Sequence, residues 1–263
     1  MTTIDFTVKN SVAYVTFDRA EKHNAFDDAM IGELTHCFTK VTKQDNIRAM
    51  VLQARGKSFS AGADIAWMQR MANFTREQNQ QDAMNLALML QLLNTIPKPT
   101  IARIQGAAFG GAVGLIACCD MAVASESSQF CLSEVRLGLV PATISPYVIA
   151  AMGERACRRY FQTAEIFSAP EAKSLGLVSE VVLPSELDEQ INALLEKILG
   201  NGPQAVANTK ALISEVCGQP IDTQLMTYTS QRIADIRVSP EGQQGLRAFL
   251  QKQPAPWLER HDD

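Results

Sequence analysis

The pattern of apolar and polar positions predicts strands and helices in alternation along the first two thirds of the chain. Residues 11–17 (SVAYVTF) alternate apolar and polar side chains, which is typical of a strand with one buried face. Residues 24–41 show amphipathic helical spacing, with Asp27 and Asp28 in an acidic first turn. The chain therefore starts with a strand followed by a helix.

A second, longer helix is predicted over residues 75–96. Thr75 and Gln78 have the spacing of a capping box, which marks the start of a helix. The pattern predicts that its buried stripe is formed by Met84, Leu88 and Leu92. Pro97 and Pro99 end it.

Further strands and helices continue this alternation up to about residue 183. Strands are predicted at 49–54, 100–106, 121–125, near Phe130 and at 177–182, and helices begin at Ser145 and Ser168. Strands and helices in alternation are typical of an α/β layered core. From Pro184 onward the pattern predicts four helices and no strand, with the clearest break at GNGP.

Composition excludes several classes of function. The chain has 263 residues and a net charge of −4, so it lacks the basic surface that nucleic acid binding requires. No apolar run reaches the ~18 to 20 residues needed to cross a bilayer, and residues 1–10 lack the features of a secretion signal. We therefore expect a cytoplasmic protein without nucleic acid or membrane partners.

Cysteine and histidine positions indicate no metal site and no disulfide framework. The six cysteines and three histidines, His261 among them, show no CxxC pair and no regular spacing. Reduced, buried thiols are the expected state.

Two segments consist mainly of glycine, alanine and serine, so little side-chain bulk covers their backbone. They are residues 60–64 (SAGAD) and 106–114 (GAAFGGAVG), and Gly110 and Gly111 lie where a helix should begin. Unshielded N–H groups on two loops are what an oxyanion hole needs. The alternative is that these glycines only allow close packing of strand and helix. Neither segment has the spacing of a nucleotide-phosphate loop.

Several motifs together resemble the crotonase, or enoyl-CoA hydratase/isomerase, superfamily. The motifs are RAEKHNAF (19–26), KSFSAGADI (57–65), IQGAAFGGAVGL (104–115), CDMAVAS (119–125) and FCLSEVRLGLVP (130–141). The resemblance extends over nearly the whole chain. Residues 134–165 most resemble the bacterial branch of this family that hydrates methylglutaconyl-CoA.

The resemblance implies a fold and a reaction. It implies an α/β fold of the crotonase type, a spiral of ββα turns over residues 1–200, followed by a helical trimerisation region over 201–263. The N–H groups of Ala63 and Gly111 would bind the thioester oxygen, and Glu134 would transfer the proton. The implied partner is an acyl-CoA thioester in a homotrimer or dimer of trimers, with no metal and no separate cofactor, since coenzyme A is part of the substrate.

The resemblance also implies residues for the rest of the substrate. Those expected at coenzyme A are Lys22, Ala25, Ala61, Ala63, Asp64, Ile65 and Lys252. Those expected at the acyl pocket are Trp67, Met68, Met71, Gly110, Gly114, Leu139 and Pro141. For the lysines the alternative is a solvated charge, and for the apolar residues it is an ordinary core position.

One position departs from the family pattern. Hydratases with two catalytic glutamates carry the second one where this chain has Gly114. Asp120 matches a structural aspartate, and Glu126 is the other near carboxylate, so neither replaces it. Three interpretations follow: another group or a water molecule orients the nucleophile, Glu134 acts alone, or a carboxylate of the substrate positions the water. A Δ3,Δ2-enoyl-CoA isomerase and a non-catalytic acyl-CoA-binding protein remain the alternative functions.

Overall fold

The computed structural model describes residues 2–258, which form two compact units. Within the described residues, the first unit contains residues 2–96 and 100–192, and the second contains residues 97–99 and 193–258. The predicted boundary at residue 200 and the trimerisation role of residues 201–263 stay predictions, and residues 259–263 lie outside the described residues.

All strands found in residues 2–258 belong to the first unit. They are β1 (Ile4–Lys9), β2 (Val12–Phe17), β3 (Ala49–Ala54), β4 (Thr100–Ile104), β5 (Ala107–Phe109), β6 (Met121–Ser125), β7 (Gln129–Cys131), β8 (Phe167–Ser168) and β9 (Glu180–Val182). Six of them form a sheet in the order β1-β2-β3-β4-β6-β9, in which only β1 and β2 are antiparallel. The other three form a small sheet in the order β5-β7-β8.

Seven helices lie in the first unit. They are α1 (Asp28–Lys43), α2 (Ile65–Met71), α3 (Arg76–Thr95), α4 (Gly111–Cys118), α5 (Ser145–Met152), α6 (Glu154–Thr163) and α7 (Ala169–Ser174). Helix α8 (Leu187–Leu199) begins in this unit, and α9 (Pro203–Val216), α10 (Thr223–Val238) and α11 (Pro240–Leu250) belong to the second. The α/β fold and the four C-terminal helices are confirmed.

Local signals placed most of these elements. The capping box of α3 is present, because Thr75 accepts from the Gln78 N–H and Gln78 accepts from the Thr75 N–H. Helix α1 begins later than predicted: Asp27 is its N-cap and accepts from the Met30 N–H, so it is not part of the first turn. Strands β1, β5 and β8 and helices α2 and α6 were not predicted, and β9 is shorter than predicted.

The predicted apolar stripe of α3 is wrong at Met84 and Leu88, whereas Leu92 is half-buried and packs against the core. Met84 and Leu88 are exposed, and the buried residues of this helix are Met89, Leu90 and Leu93. Helix α3 packs against α1 and α4, and the buried residues all lie in its C-terminal half. Tertiary packing, and not the periodicity alone, therefore decided which positions are buried.

Candidate active site

A series of backbone pairings brings the predicted site segments together. Phe26 forms a parallel bridge with Ala63, and Ser60 forms another with Ala108. The Gly110 N–H then donates to the Cys131 carbonyl at 2.8 Å. The two bare loops and the segment before Glu134 are thus linked through main-chain hydrogen bonds, which fix their relative positions within the first unit.

Ala63 lies between two hydrogen-bonded neighbours. The Phe26 N–H donates to the Gly62 carbonyl at 2.9 Å, and the Asp64 N–H donates to the Phe26 carbonyl at 3.0 Å. Within residues 2–258 the Ala63 N–H itself has no protein acceptor, and Ala63 is exposed. This N–H is therefore available to a ligand.

Gly111 is the first residue of α4, where helical N–H groups have no intrahelical partner. Its N–H donates to no acceptor in the described part of the chain. A Cβ at Gly111 would lie 2.4 Å from Cζ of Phe26, so the Phe26 ring contacts Gly111 closely. Phe26 therefore pairs through its backbone with the loop of Ala63 and through its ring with Gly111.

Gly110 gives the loop before α4 its shape. Its backbone has φ 57° and ψ −125°, a conformation open to glycine and strained for other residues. A Cβ there would lie 3.5 Å from Oε1 of Glu134. The carboxyl group of Glu134 is thus next to the N-terminus of α4, directly before one of the two donors.

Glu134 begins a 3-10 turn (Glu134–Leu137) that ends at Gly138. Its Oε2 is buried and has no hydrogen-bond partner among residues 2–258. Burial raises the pKa of this carboxyl above its ordinary value, and a hydrogen bond from its own backbone opposes the change only in part. A buried carboxyl with a raised pKa is suited to proton transfer near neutral pH.

Gly114 faces an apolar side chain and does not line open space. A Cβ at this position would lie 2.2 Å from Cγ2 and 2.6 Å from Cβ of Ile144. Ile144 is buried and is the N-cap residue of α5. Ile144 therefore fills the space in the Cβ direction of Gly114, and the place of Gly114 in the acyl pocket stays a prediction.

Asp64 is the centre of a buried charge cluster beside the first loop. Its Oδ1 accepts from the N–H groups of Ala66 and Trp67 and caps α2. Its Oδ2 accepts from Arg19 Nη2 at 2.9 Å and from Lys22 Nζ at 3.2 Å. Burial raises the pKa of Asp64, but the hydrogen bonds from Lys22, Trp67 and Ala66 outweigh it and leave the pKa lowered.

The residues expected at coenzyme A have these contacts within the protein, and their roles at coenzyme A stay predictions. The Asp64 carboxylate accepts from four donors of the protein. The Lys22 side chain is half-exposed and pairs with Asp64. The Ala61 N–H donates to the His23 carbonyl at 3.0 Å, and the Ala25 carbonyl accepts a hydrogen bond from Arg19 Nη1. Ile65 is exposed.

The residues expected at the acyl pocket differ in exposure. Trp67 and Pro141 are buried, Met68 and Met71 are half-buried, and Leu139 is exposed. Lys252 lies in the second unit, where its side chain is exposed and its backbone has a positive φ of 55°. The roles of these residues stay predictions.

Sequence reasoning missed Arg19, Phe26 and Ile144. Arg19 and Phe26 both lie in the motif RAEKHNAF, so the motif itself was the available signal. Ile144 carries no local signal, because its contact with Gly114 joins residues 30 positions apart.

Residues 2–258 contain neither a candidate metal site nor a candidate membrane-spanning helix. In this range no group of three or more His, Cys, Asp or Glu side chains is arranged to hold a metal ion. No helix in the same range has the length and apolar character needed to cross a membrane.

Comparison with known proteins gives the family. The sequence model of the enoyl-CoA hydratase/isomerase family matches residues 7–260. This chain therefore belongs to the enoyl-CoA hydratase/isomerase family, and it is an enzyme of that family.

Individual relatives match this chain over nearly their full lengths. The crystal structure of an enoyl-CoA hydratase from Shewanella pealeana has a TM-score of 0.95 and 46% identity, over 97% of this chain and 96% of that chain. A Thermus thermophilus protein, named provisionally as an enoyl-CoA hydratase, is 32% identical over 94% of this chain and 97% of its own. A crotonyl-CoA hydratase from Syntrophomonas wolfei is 28% identical over 96% of each chain.

Proposed function

We propose that this protein is an enoyl-CoA hydratase that adds water across the α,β double bond of an acyl-CoA thioester. The observation that carries the proposal is the combination of two N–H groups without acceptors, at Ala63 and Gly111, with the buried Glu134 carboxyl beside them. Relatives named as enoyl-CoA and crotonyl-CoA hydratases support the same reaction class.

The two N–H groups supply the electrostatic part of the reaction. As water adds to the β carbon, negative charge develops on the thioester oxygen and an enolate forms. Fixed donors at Ala63 and Gly111 stabilise that charge more than they stabilise the neutral carbonyl, which lowers the barrier. In other enzymes the loss of one such donor costs about 10²- to 10³-fold in kcat.

Glu134 can supply both proton transfers. As a carboxylate it takes one proton from the water molecule whose oxygen bonds to the β carbon. The resulting carboxylic acid then gives that proton to the α carbon of the enolate, and the product is a 3-hydroxyacyl-CoA. Glu134 returns to its starting state, so the cycle balances without a second protein carboxylate.

The acyl group that we propose is 3-methylglutaconyl, which would place the enzyme in leucine breakdown. The support is the resemblance of residues 134–165 and the apolar Ile144 side chain packed against Gly114, the position at which two-glutamate hydratases carry their second carboxylate. A carboxylate on the substrate would then help to position the water.

The test is turnover of 3-methylglutaconyl-CoA and crotonyl-CoA by the same preparation, followed by product mass. Equal turnover of the two would contradict a role for the substrate carboxylate. A mass gain of one water on neither compound would contradict hydration altogether.

A second candidate is a Δ3,Δ2-enoyl-CoA isomerase. Ile144 in contact with Gly114 favours it, because moving a proton between two carbons needs only one carboxyl group. Incubation with a 3-enoyl-CoA separates the two: an isomerase gives a conjugated product of unchanged mass. A protein that only binds acyl-CoA would give no new product from any of the three compounds.

We further propose that the enzyme acts as a homotrimer or dimer of trimers in the cytoplasm. The support for assembly is a set of exposed large apolar side chains in the second unit: Ile213, Ile221, Met226, Ile233, Val238, Leu246, Phe249 and Leu250. Native mass measurement tests it. Phe249→Asp should lower the mass, whereas Gln251→Asp, at an exposed polar neighbour, should not.

A further inference from the structure

We propose that Arg19 is a positioning residue that orients the two donors of the oxyanion site, an inference that rests on the proposed function. We do not propose that Arg19 contacts the reacting atoms. It acts through Phe26, which connects the two donor loops.

The guanidinium group of Arg19 is buried and binds three separate partners. Nη1 donates to the Ala25 carbonyl at 3.0 Å and to Asp27 Oδ2 at 2.9 Å. Nη2 donates to Asp64 Oδ2 at 2.9 Å. Arg19 is 9% exposed, so these bonds lie in a region largely closed to water.

The three partners surround the bridge between Phe26 and Ala63. Ala25 and Asp27 are the residues on either side of Phe26, and Asp64 follows Ala63. One planar group therefore holds both strands of the bridge. With Phe26 also bonded to Gly62 and Asp64, the peptide plane of Ala63 has little freedom to rotate.

The same cluster reaches the second donor through the Phe26 ring. That ring lies against Gly111, where a Cβ would be 2.4 Å from Cζ. A shift of Phe26 would therefore change the position of Gly111 as well as that of Ala63. Arg19 is thus the residue whose loss is expected to disturb both donors together.

The charges of the cluster favour a geometric role. Arg19 and Lys22 provide two positive charges, and Asp27 and Asp64 provide two negative charges. Buried ion pairs add little net stability, because desolvation offsets the attraction between the charges. Three directional bonds from one guanidinium group do fix geometry, and lysine cannot reproduce them.

The test compares Arg19→Lys with a matched control, Arg55→Lys. Arg55 also pairs with two aspartates, Asp5 and Asp18, but its side chain is 53% exposed. We expect Arg19→Lys to lower kcat by about 10- to 100-fold through misplaced donors, with KM changed by less than about twofold. The control should keep wild-type kcat.

A spectroscopic signature separates positioning from general destabilisation. Butanoyl-CoA labelled with ¹³C at the thioester carbonyl is unreactive, and its infrared carbonyl band moves to lower frequency when hydrogen bonds polarise the group. We expect a clear shift on binding to wild type and to Glu134→Gln, and a smaller shift on binding to Arg19→Lys.

The outcomes distinguish this inference from the proposed function. No band shift in wild type would overturn the proposed oxyanion site and the inference with it. A full shift in Arg19→Lys, with wild-type kcat, would overturn the inference alone. If Arg19→Lys does not fold, Asp27→Asn keeps the N-cap of α1 and removes one charge partner, and it should show the same change in smaller size; an unchanged band and kcat in that variant would also overturn the inference.

Discussion

Gly110 and Gly114 lie one turn apart at the start of the same helix, yet they face opposite environments. A Cβ at Gly110 would lie 3.5 Å from Oε1 of Glu134, and a Cβ at Gly114 would lie 2.2 Å from Cγ2 of Ile144. Gly110 is the N-cap residue of α4 and Gly114 lies inside that helix, so the carboxyl group is near its N-terminus and the apolar side chain packs further along it. The comparison shows that the carboxyl group of Glu134 lies beside the apolar contact between Gly114 and Ile144.

Glu134→Gln is expected to have the largest effect on activity. The amide cannot take the proton from water, so kcat should fall by about 10²- to 10⁴-fold, with KM little changed. Steady-state turnover of an enoyl-CoA measures it. Unchanged kcat would contradict the role given to Glu134.

Gly110→Ala should have the next largest effect. Alanine at φ 57° and ψ −125° is strained by about 1 to 3 kcal/mol, and relief of that strain would move Gly111. We expect kcat to fall by about 100-fold. Gly218→Ala is a useful control, since Gly218 is also at positive φ with open space around it and belongs to the second unit; it should lose stability without the same loss in kcat.

The contact between Gly114 and Ile144 is tested by the variants Gly114→Ala and Ile144→Gly, alone and together. Gly114→Ala overpacks the contact and should cost about 1 to 3 kcal/mol of unfolding free energy. Ile144→Gly removes both contacting atoms and keeps a residue accepted at an N-cap. The double variant should recover about 0.5 to 3 kcal/mol relative to the sum of the single changes. Strict additivity would show that the two residues do not contact.

The smallest expected effect is on stability as a function of pH. The pKa of Glu134 is raised by burial, so the folded state holds its proton more tightly than the unfolded state. That contribution is complete below the unfolded pKa and is lost as pH rises through the folded pKa. Glu134→Gln should therefore raise the melting temperature at neutral pH and change it little at acid pH. The wild-type acid limb of kcat/KM should lie above the ordinary glutamate pKa.

The sequence predicted those parts of the molecule that local signals determine. The capping box of Thr75, the strand over Ala49–Ala54 and the start of α4 at Gly111 all follow from short-range chemistry. The predicted buried face of α3 was wrong at Met84 and Leu88. Both residues are apolar at helical spacing, yet they are exposed.

The site was predictable as a set of motifs but not as a set of contacts. The small residues around Ala63 and Gly111 and the position of Glu134 were visible in the sequence. The bonds of Arg19 to Asp64, 45 positions apart, and the contact of Ile144 with Gly114 depend on the folded chain. The capping of α2 by Asp64 is a local contact with Ala66 and Trp67, whereas its bond to Arg19 carries no local signal.

A crystal structure with an unreactive saturated acyl-CoA bound is the most direct test of the central claim. The account predicts that the thioester oxygen lies about 2.7 to 3.1 Å from the backbone nitrogens of both Ala63 and Gly111, with the Glu134 carboxyl facing the α and β carbons. A thioester oxygen bound by neither nitrogen, or a Glu134 carboxyl turned away from the acyl chain, would contradict it.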